Sequence, residues 1–222
     1  NEEVISNVCF FVDIADALFQ ANTIRENEAE QIIGIYLIVL NDNKFINIYG
    51  DIYTSISLLL LIHAEYAMPF IEILKEHWNT LENEYTISIL GTLFMMIFVL
   101  LPEHFNPEED FELVERICDR FQPSKENCHY YLKSSIEFLS NYPNIPINIK
   151  KKFLHNFITY LSYQEYCYNI FKVKEEVHEQ LLEVVKQLMN EIPNCEGIIE
   201  SCFPGSPRAL QGTLRMLGIT SE

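Results

Sequence analysis

The sequence predicts an all-α fold, and three observations carry that expectation. Seven glycines and nine prolines among 222 residues are too few for a β-sandwich or barrel, which needs turn residues roughly every 8 to 12 positions. Apolar residues recur at steps of three and four through most of the chain, the spacing of a buried helix face. Breaks fall near Asn41, Leu81, Pro123 and Ser162, so that most intervals, about 40 residues each, hold a pair of helices. With 49% hydrophobic residues the chain can bury a sizeable core. Residues 1–222 read as a single helical domain and, since they open on Asn1, as a piece of a longer chain.

Each element has its own signal. Ile5, Val8, Val12, Ala15 and Phe19 share one side of a first amphipathic helix, with Asp13, Asp16 and Gln20 opposite. Glu26 to Leu40 forms a second helix, its acidic first turns placed at the positive end of the dipole and its end marked by Asn41, Asp42 and Asn43. Ile46 to Ala67 reads as a third, bent near Gly50, and Pro69 opens a fourth with Phe70, Leu74, Trp78 and Leu81 on one side.

Tyr85 to Leu101 carries no charge over 17 residues, about the lower limit for a membrane-spanning helix. Glu82, Glu84 and Glu103 flank it where lysine or arginine would anchor a span, so the segment is expected to be a helix buried on all sides. Pro102 and Pro107 lead to Phe111, Val114, Cys118 and Phe121 at helical spacing, stopped by Pro123. Ser124 is placed to cap a helix from Lys125 to Asn141 with Cys128, Leu132, Ile136 and Leu139 inward. Pro143 and Pro146 separate it from a stripe of Phe153, Phe157 and Leu161. The last long helix, Val173 to Ile192, is expected to bury Val177, Leu181, Val184, Leu188 and Ile192, and a short helix follows Gly205, Ser206 and Pro207 and ends near Gly218.

Helix pairs repeating at this period resemble, in period and pattern over residues 23–192, the armadillo and HEAT families of helical repeats. The resemblance implies a right-handed α-solenoid of antiparallel helix pairs, without the glycine usual between the short and long armadillo helices. The alternative architecture is an irregular helical bundle.

Charge narrows the partners. A net charge of -17 from 15 basic and 32 acidic side chains opposes direct binding to nucleic acid or anionic lipid. The imbalance is concentrated early: residues 1–74 carry 2 basic and 11 acidic side chains, whereas residues 150–222 carry 8 and 9. Cys9, Cys118, Cys128, Cys167, Cys195 and Cys202 are scattered without a Cys-x-x-Cys pair, and no Asn-x-Ser/Thr sequon occurs. This usage is expected of an intracellular protein, cytoplasmic or nuclear.

Motifs for chemistry are missing from the sequence. The glycines at 34, 50, 91, 197, 205, 212 and 218 form neither a dinucleotide fingerprint nor a phosphate loop. His63-Ala64-Glu65 has no Pro-Cys-x-x-Cys partner, and His178-Glu179 has leucine where a metalloprotease helix places its second histidine, at position 182. Glu126 with His129 and Glu175 with His178 repeat the Glu-x-x-His spacing of di-iron bundles, but both pairs lie beside the apolar stripes rather than on them. The sequence therefore predicts no enzyme, no metal and no cofactor.

What remains is recognition. Lys150, Lys151 and Lys152 form the one basic run, followed by Tyr160, Tyr163, Tyr166, Tyr168 and Phe171, and tyrosines are favoured anchors at protein interfaces. The expectation is a non-catalytic scaffold that binds another protein, one with a basic segment, with Tyr163, Tyr166, Lys150, Lys151 and Lys152 at the contact. The alternative is an oligomerising core of a larger assembly, a homodimer in its simplest form, in which the uncharged helix packs on a sister chain.

Overall fold

The computed structural model describes residues 2–121, 128–166, 175–203 and 207–218, and the side chains of all of these except 163–166, 207–209 and 216. The described residues contain eleven α-helices and no strand, so the fold is all-α. Pro123, Ser124, Lys125, Glu126, Cys167, Tyr168, Phe171, Val173, Gly205 and Ser206, invoked above, lie outside the described residues. The chain divides into two compact units, Asn1–Phe105 and Asn106–Glu222.

The first unit holds α1 (Glu2–Gln20), α2 (Glu26–Leu40), α3 (Tyr49–Ile62), α4 (Ile71–Thr80) and α5 (Glu84–Leu100). α3 packs against both α1 and α5. From α1, Val12, Ala15 and Phe19 are buried, as their spacing predicts, while Ile5 and Val8 are half-buried nearer the N-terminus. α2 begins with the Arg25 amide donating to Glu28 Oε2 at 3.0 Å and ends where Asn41 Nδ2 donates to the Leu37 carbonyl at 2.7 Å.

The single helix expected over Ile46–Ala67 is instead three pieces. A 3₁₀ segment Asn43–Ile48 precedes α3, and another, Ala64–Phe70, follows it and contains Pro69. The first break lies at Ile48 rather than at Gly50, which sits inside α3. A Cβ at Gly50 would stand 3.3 Å from Ile89 Cδ1 on α5, so this glycine serves the close approach of two helices.

α5 is the uncharged segment. Asn83 caps it, Oδ1 accepting from the Thr86 amide at 3.0 Å, and residues 89–98 are buried without interruption. It is a core helix on all sides, as expected. Among the described residues one stretch, Asn43–Ile62, is long and apolar enough to cross a membrane, and 61% of its apolar window is buried inside the unit.

The second unit holds α6 (Pro107–Asp119), α7 (Cys128–Asn141), α8 (Ile147–Tyr166), α9 (Glu175–Glu191), α10 (Glu196–Ser201) and α11 (Pro207–Met216). α8 is its axis, packed against α6, α9, α10 and α11, while α7 packs on α9. Phe153, Leu154, Phe157, Ile158 and Leu161 are all fully buried. Asn106 caps α6, its Oδ1 accepting from the Glu108 amide at 3.2 Å, with Pro107 at the first position. Gly218 follows α11 with φ of 72°, the left-handed conformation of a C-terminal stop.

α9 is rotated from its expected face. Val177, Leu181, Val185 and Leu188 are buried, whereas Val184 is half-buried. Val184 is thereby left at the edge of a groove.

Candidate functional site

α8 presents the basic run, and two of its three lysines are engaged. Lys150 Nζ meets Glu191 Oε2 of α9 at 2.7 Å. Lys152 Nζ meets Asp119 Oδ1 at 2.6 Å and Glu115 Oε1 at 3.3 Å, both on α6. Lys151, between them, is exposed. The run therefore clamps α8 to its neighbours through Lys150 and Lys152, and Lys151 alone of the three faces solvent fully. Tyr160, from the aromatic crowd, is 1% exposed and belongs to the core. Tyr163 and Tyr166 fall on the last turns of α8, and their side chains lie outside the described residues.

Lys150 also stands at one end of a groove of about 500 Å³ in the second unit. Ile136 and Leu139 of α7, with Val184 and Leu188 of α9, supply its apolar lining. Glu137, Glu183 and Glu191 supply carboxylates, and Gln180 and Gln187 supply neutral polar groups. The α9 contributions, at 180, 183, 184, 187, 188 and 191, recur at three and four because they form one flank of that helix. Over this span the flank is about 16 Å long at the α-helical rise. Glu191 is held by Lys150 and by Gln187 Nε2 at 2.8 Å, and these bonds keep its carboxyl below the usual range.

The first unit offers a different surface. On α1, Phe10 is 68% exposed, and Ile14, one turn further along, is exposed with it. On α2, Ile38 is 71% exposed and Ile35 lies one turn before it. The two helices meet edge to face through the Phe11 and Tyr36 rings, with centroids 6.2 Å apart. Phe10 and Ile14 thus share one side of α1, and Ile35 and Ile38 are exposed on α2.

Buried polar groups in both units tie helices together. Tyr36 of α2 and Ser55 of α3 share a hydrogen bond of 2.6 Å, and Asp16 of α1 is half-buried, burial raising its carboxyl pKa. His77 Nδ1 bonds the Tyr53 hydroxyl at 2.6 Å and its ring stacks on Tyr49. Tyr49 donates in turn to the Leu40 carbonyl at 2.9 Å. In the second unit Asn156 Nδ2 donates to the Cys118 carbonyl and to the Tyr131 hydroxyl, both at 2.9 Å.

Burial sets the chemistry of these groups. It pushes the thiols of Cys118 and Cys128 up to about 12, it raises Tyr36, Tyr53 and Tyr131, and it lowers His77. Every one of these shifts favours the neutral form, whereas an activated nucleophile needs a depressed thiol or an adjacent base. His63 stands at the C-terminal end of α3 and bonds Glu65 at 3.1 Å. His129 and His178 are half-buried on α7 and α9, and no group of three His, Cys, Asp or Glu suited to a metal occurs among the described residues. No family model, curated protein or solved structure matches the chain.

Proposed function

We propose that this chain is a non-catalytic scaffold that binds a partner protein through surfaces built by stacked helices. The observation that carries the reading is the exposure of large apolar residues in the first unit, above all Phe10 with Ile14 on α1 and Ile38 with Ile35 on α2. Acidic residues accompany them: Glu2, Glu3 and Asp13 on α1 and Glu26 and Glu30 on α2 are exposed. A partner that fits such a face brings apolar side chains bordered by lysine or arginine, and the charge raises its encounter rate.

The solenoid architecture is part of the same proposal. Several elements two apart in the chain pack together, α1 with α3 and α3 with α5 in the first unit, and α6 with α8 and α7 with α9 in the second, where α8 also packs on α9 and α11. Stacked helix pairs generate that pattern, because like helices of successive pairs form a layer. It supports an armadillo-like or HEAT-like stack within each unit.

The experiment is capture of proteins from a cell lysate by the wild-type chain and by a Phe10→Asp, Ile14→Asp variant, compared by quantitative mass spectrometry. Both residues are exposed, so the variant should keep its helical dichroism and melting temperature. Proteins enriched on the wild type and reduced at least fivefold on the variant are the expected result. An identical set on both would contradict the reading.

A further inference from the structure

The groove between α7 and α9 has a lining that selects for chemistry, and that chemistry differs from the α1 and α2 face. Leu139 and Val184 are half-buried on its walls, and Ile136 and Leu188 are buried beneath them. Three glutamates and one lysine line it, and the carboxylates are not equivalent. Glu191 is saturated by Lys150 and Gln187. Glu137 has only a loose i, i+4 contact with Lys133, at 3.9 Å. Glu183 is exposed and bonds no side chain among the described residues. The groove thus presents an uncovered apolar wall next to an uncompensated negative charge.

Size decides what fits. A volume of about 500 Å³ lies in the range of sites that enclose a few side chains. A flank about 16 Å long accepts roughly five residues in extended form, at about 3.3 Å each. A lone cation would leave the apolar wall wet, and a purely apolar ligand would leave Glu183 without a partner.

We infer that this groove docks a short linear segment of a partner protein, with an apolar anchor against Leu139 and Val184 and a lysine or arginine facing Glu183 and Glu137. The inference rests on the scaffold reading and adds to it a second surface and the composition of its ligand. A bidentate arginine suits the carboxylate of Glu183 best, since the guanidinium fork matches its two oxygens. The Lys150 and Glu191 pair closes one end and orients the segment by leaving its positive charge no room there.

The test is selection from a phage-displayed library of random 12-residue peptides against the full chain at physiological salt. Enriched peptides are then synthesised and measured by fluorescence anisotropy on the wild type, on Glu183→Lys and on Val184→Asp. Both substituted residues lie on the outer flank of α9, and circular dichroism verifies each fold. The expected peptides carry an apolar residue within four positions of a lysine or arginine, and they lose at least fivefold in affinity on both variants. Absence of enriched peptides, selection of acidic ones, or a loss below fivefold on either folded variant would overturn the proposal. Should the selected peptides ignore the groove variants but fail on Phe10→Asp, the groove falls while the scaffold reading stands. Should no peptide be enriched and lysate capture also be insensitive to Phe10→Asp, Ile14→Asp, both fall.

Discussion

The imidazole of His77 lies flat against the Tyr49 ring, 4.7 Å between centroids, and its Nδ1 bonds the Tyr53 hydroxyl. Burial lowers its pKa from 6.5, because the charged form would be stripped of water in this contact. A base with a folded pKa below its unfolded value contributes stability that is whole above about pH 6.5 and is lost as pH falls from there towards the folded value. Urea unfolding of the wild type and of His77→Gln, at about pH 7.5 and about pH 5.5, checks this. The wild type should lose more stability on acidification than the variant, by up to about 1.4 kcal/mol, the value of one pH unit. Equal losses would place the histidine outside the pH response. His77 lies between Leu74 and Trp78 of the apolar stripe, so the buried side of this helix, though not the burial of His77 itself, was legible from spacing. Its partners were not, since Tyr49 and Tyr53 come from another helix. Likewise Lys150 and Lys152 read as a basic surface in the sequence because Glu191, Asp119 and Glu115, which engage them, lie more than 30 residues away.

At the level of elements, legibility followed polarity. α1 sets apolar and acidic residues on opposite sides, so its inner face can be read from the sequence, whereas the second half of α2 is apolar nearly throughout and reads as wholly buried, although Ile35 and Ile38 are exposed. The run from Ile46 to Ala67 is apolar nearly throughout, which erases the phase and hides the two 3₁₀ segments around α3. Adjacent valines at 184 and 185 leave the phase of α9 open in the same way. Each valine lies one turn from both Leu181 and Leu188, so spacing cannot choose between them; the packing buries Val185 and leaves Val184 half-buried at the groove. α10 escapes periodicity altogether, having only six residues. The crossing of α3 and α5 provides an element-scale prediction at Gly50. Alanine there gains about 1 kcal/mol of helix propensity against a contact of 3.3 Å with the flexible end of Ile89, so Gly50→Ala should stay within about 1 kcal/mol of the wild type. Gly50→Val adds methyl groups to that contact and should cost about 1 to 3 kcal/mol. Thermal denaturation of both variants decides it, and a valine variant as stable as the alanine variant would show that the helices do not approach so closely.

For the whole molecule the governing quantity is charge. A net -17 repels a second copy, and the α1 and α2 face lies in the third of the chain where acidic side chains outnumber basic ones 11 to 2. α5, the uncharged helix that could have met a sister chain, is enclosed by its own unit. The purified chain should therefore scatter light as a monomer at low micromolar concentration and low ionic strength, where repulsion is least screened. A stable dimer there would favour the oligomerising alternative. The candidate surfaces themselves were hardly legible in the sequence. The groove joins α7 to α9 across about 40 residues, and Phe10 and Ile14 read as ordinary members of an amphipathic helix until the packing shows that nothing covers them.

The central claim is that this chain works by presenting helix surfaces to another protein, and hydroxyl-radical footprinting of Phe10 tests it most directly. Oxidation of Phe10 would be quantified by mass spectrometry in the chain alone and in the complex recovered from lysate. Phe10 at 68% exposure should be readily oxidised in the free chain and protected severalfold in the complex, while fully buried Phe94 stays unreactive in both. Equal oxidation of Phe10 in the free and bound chain would contradict the account.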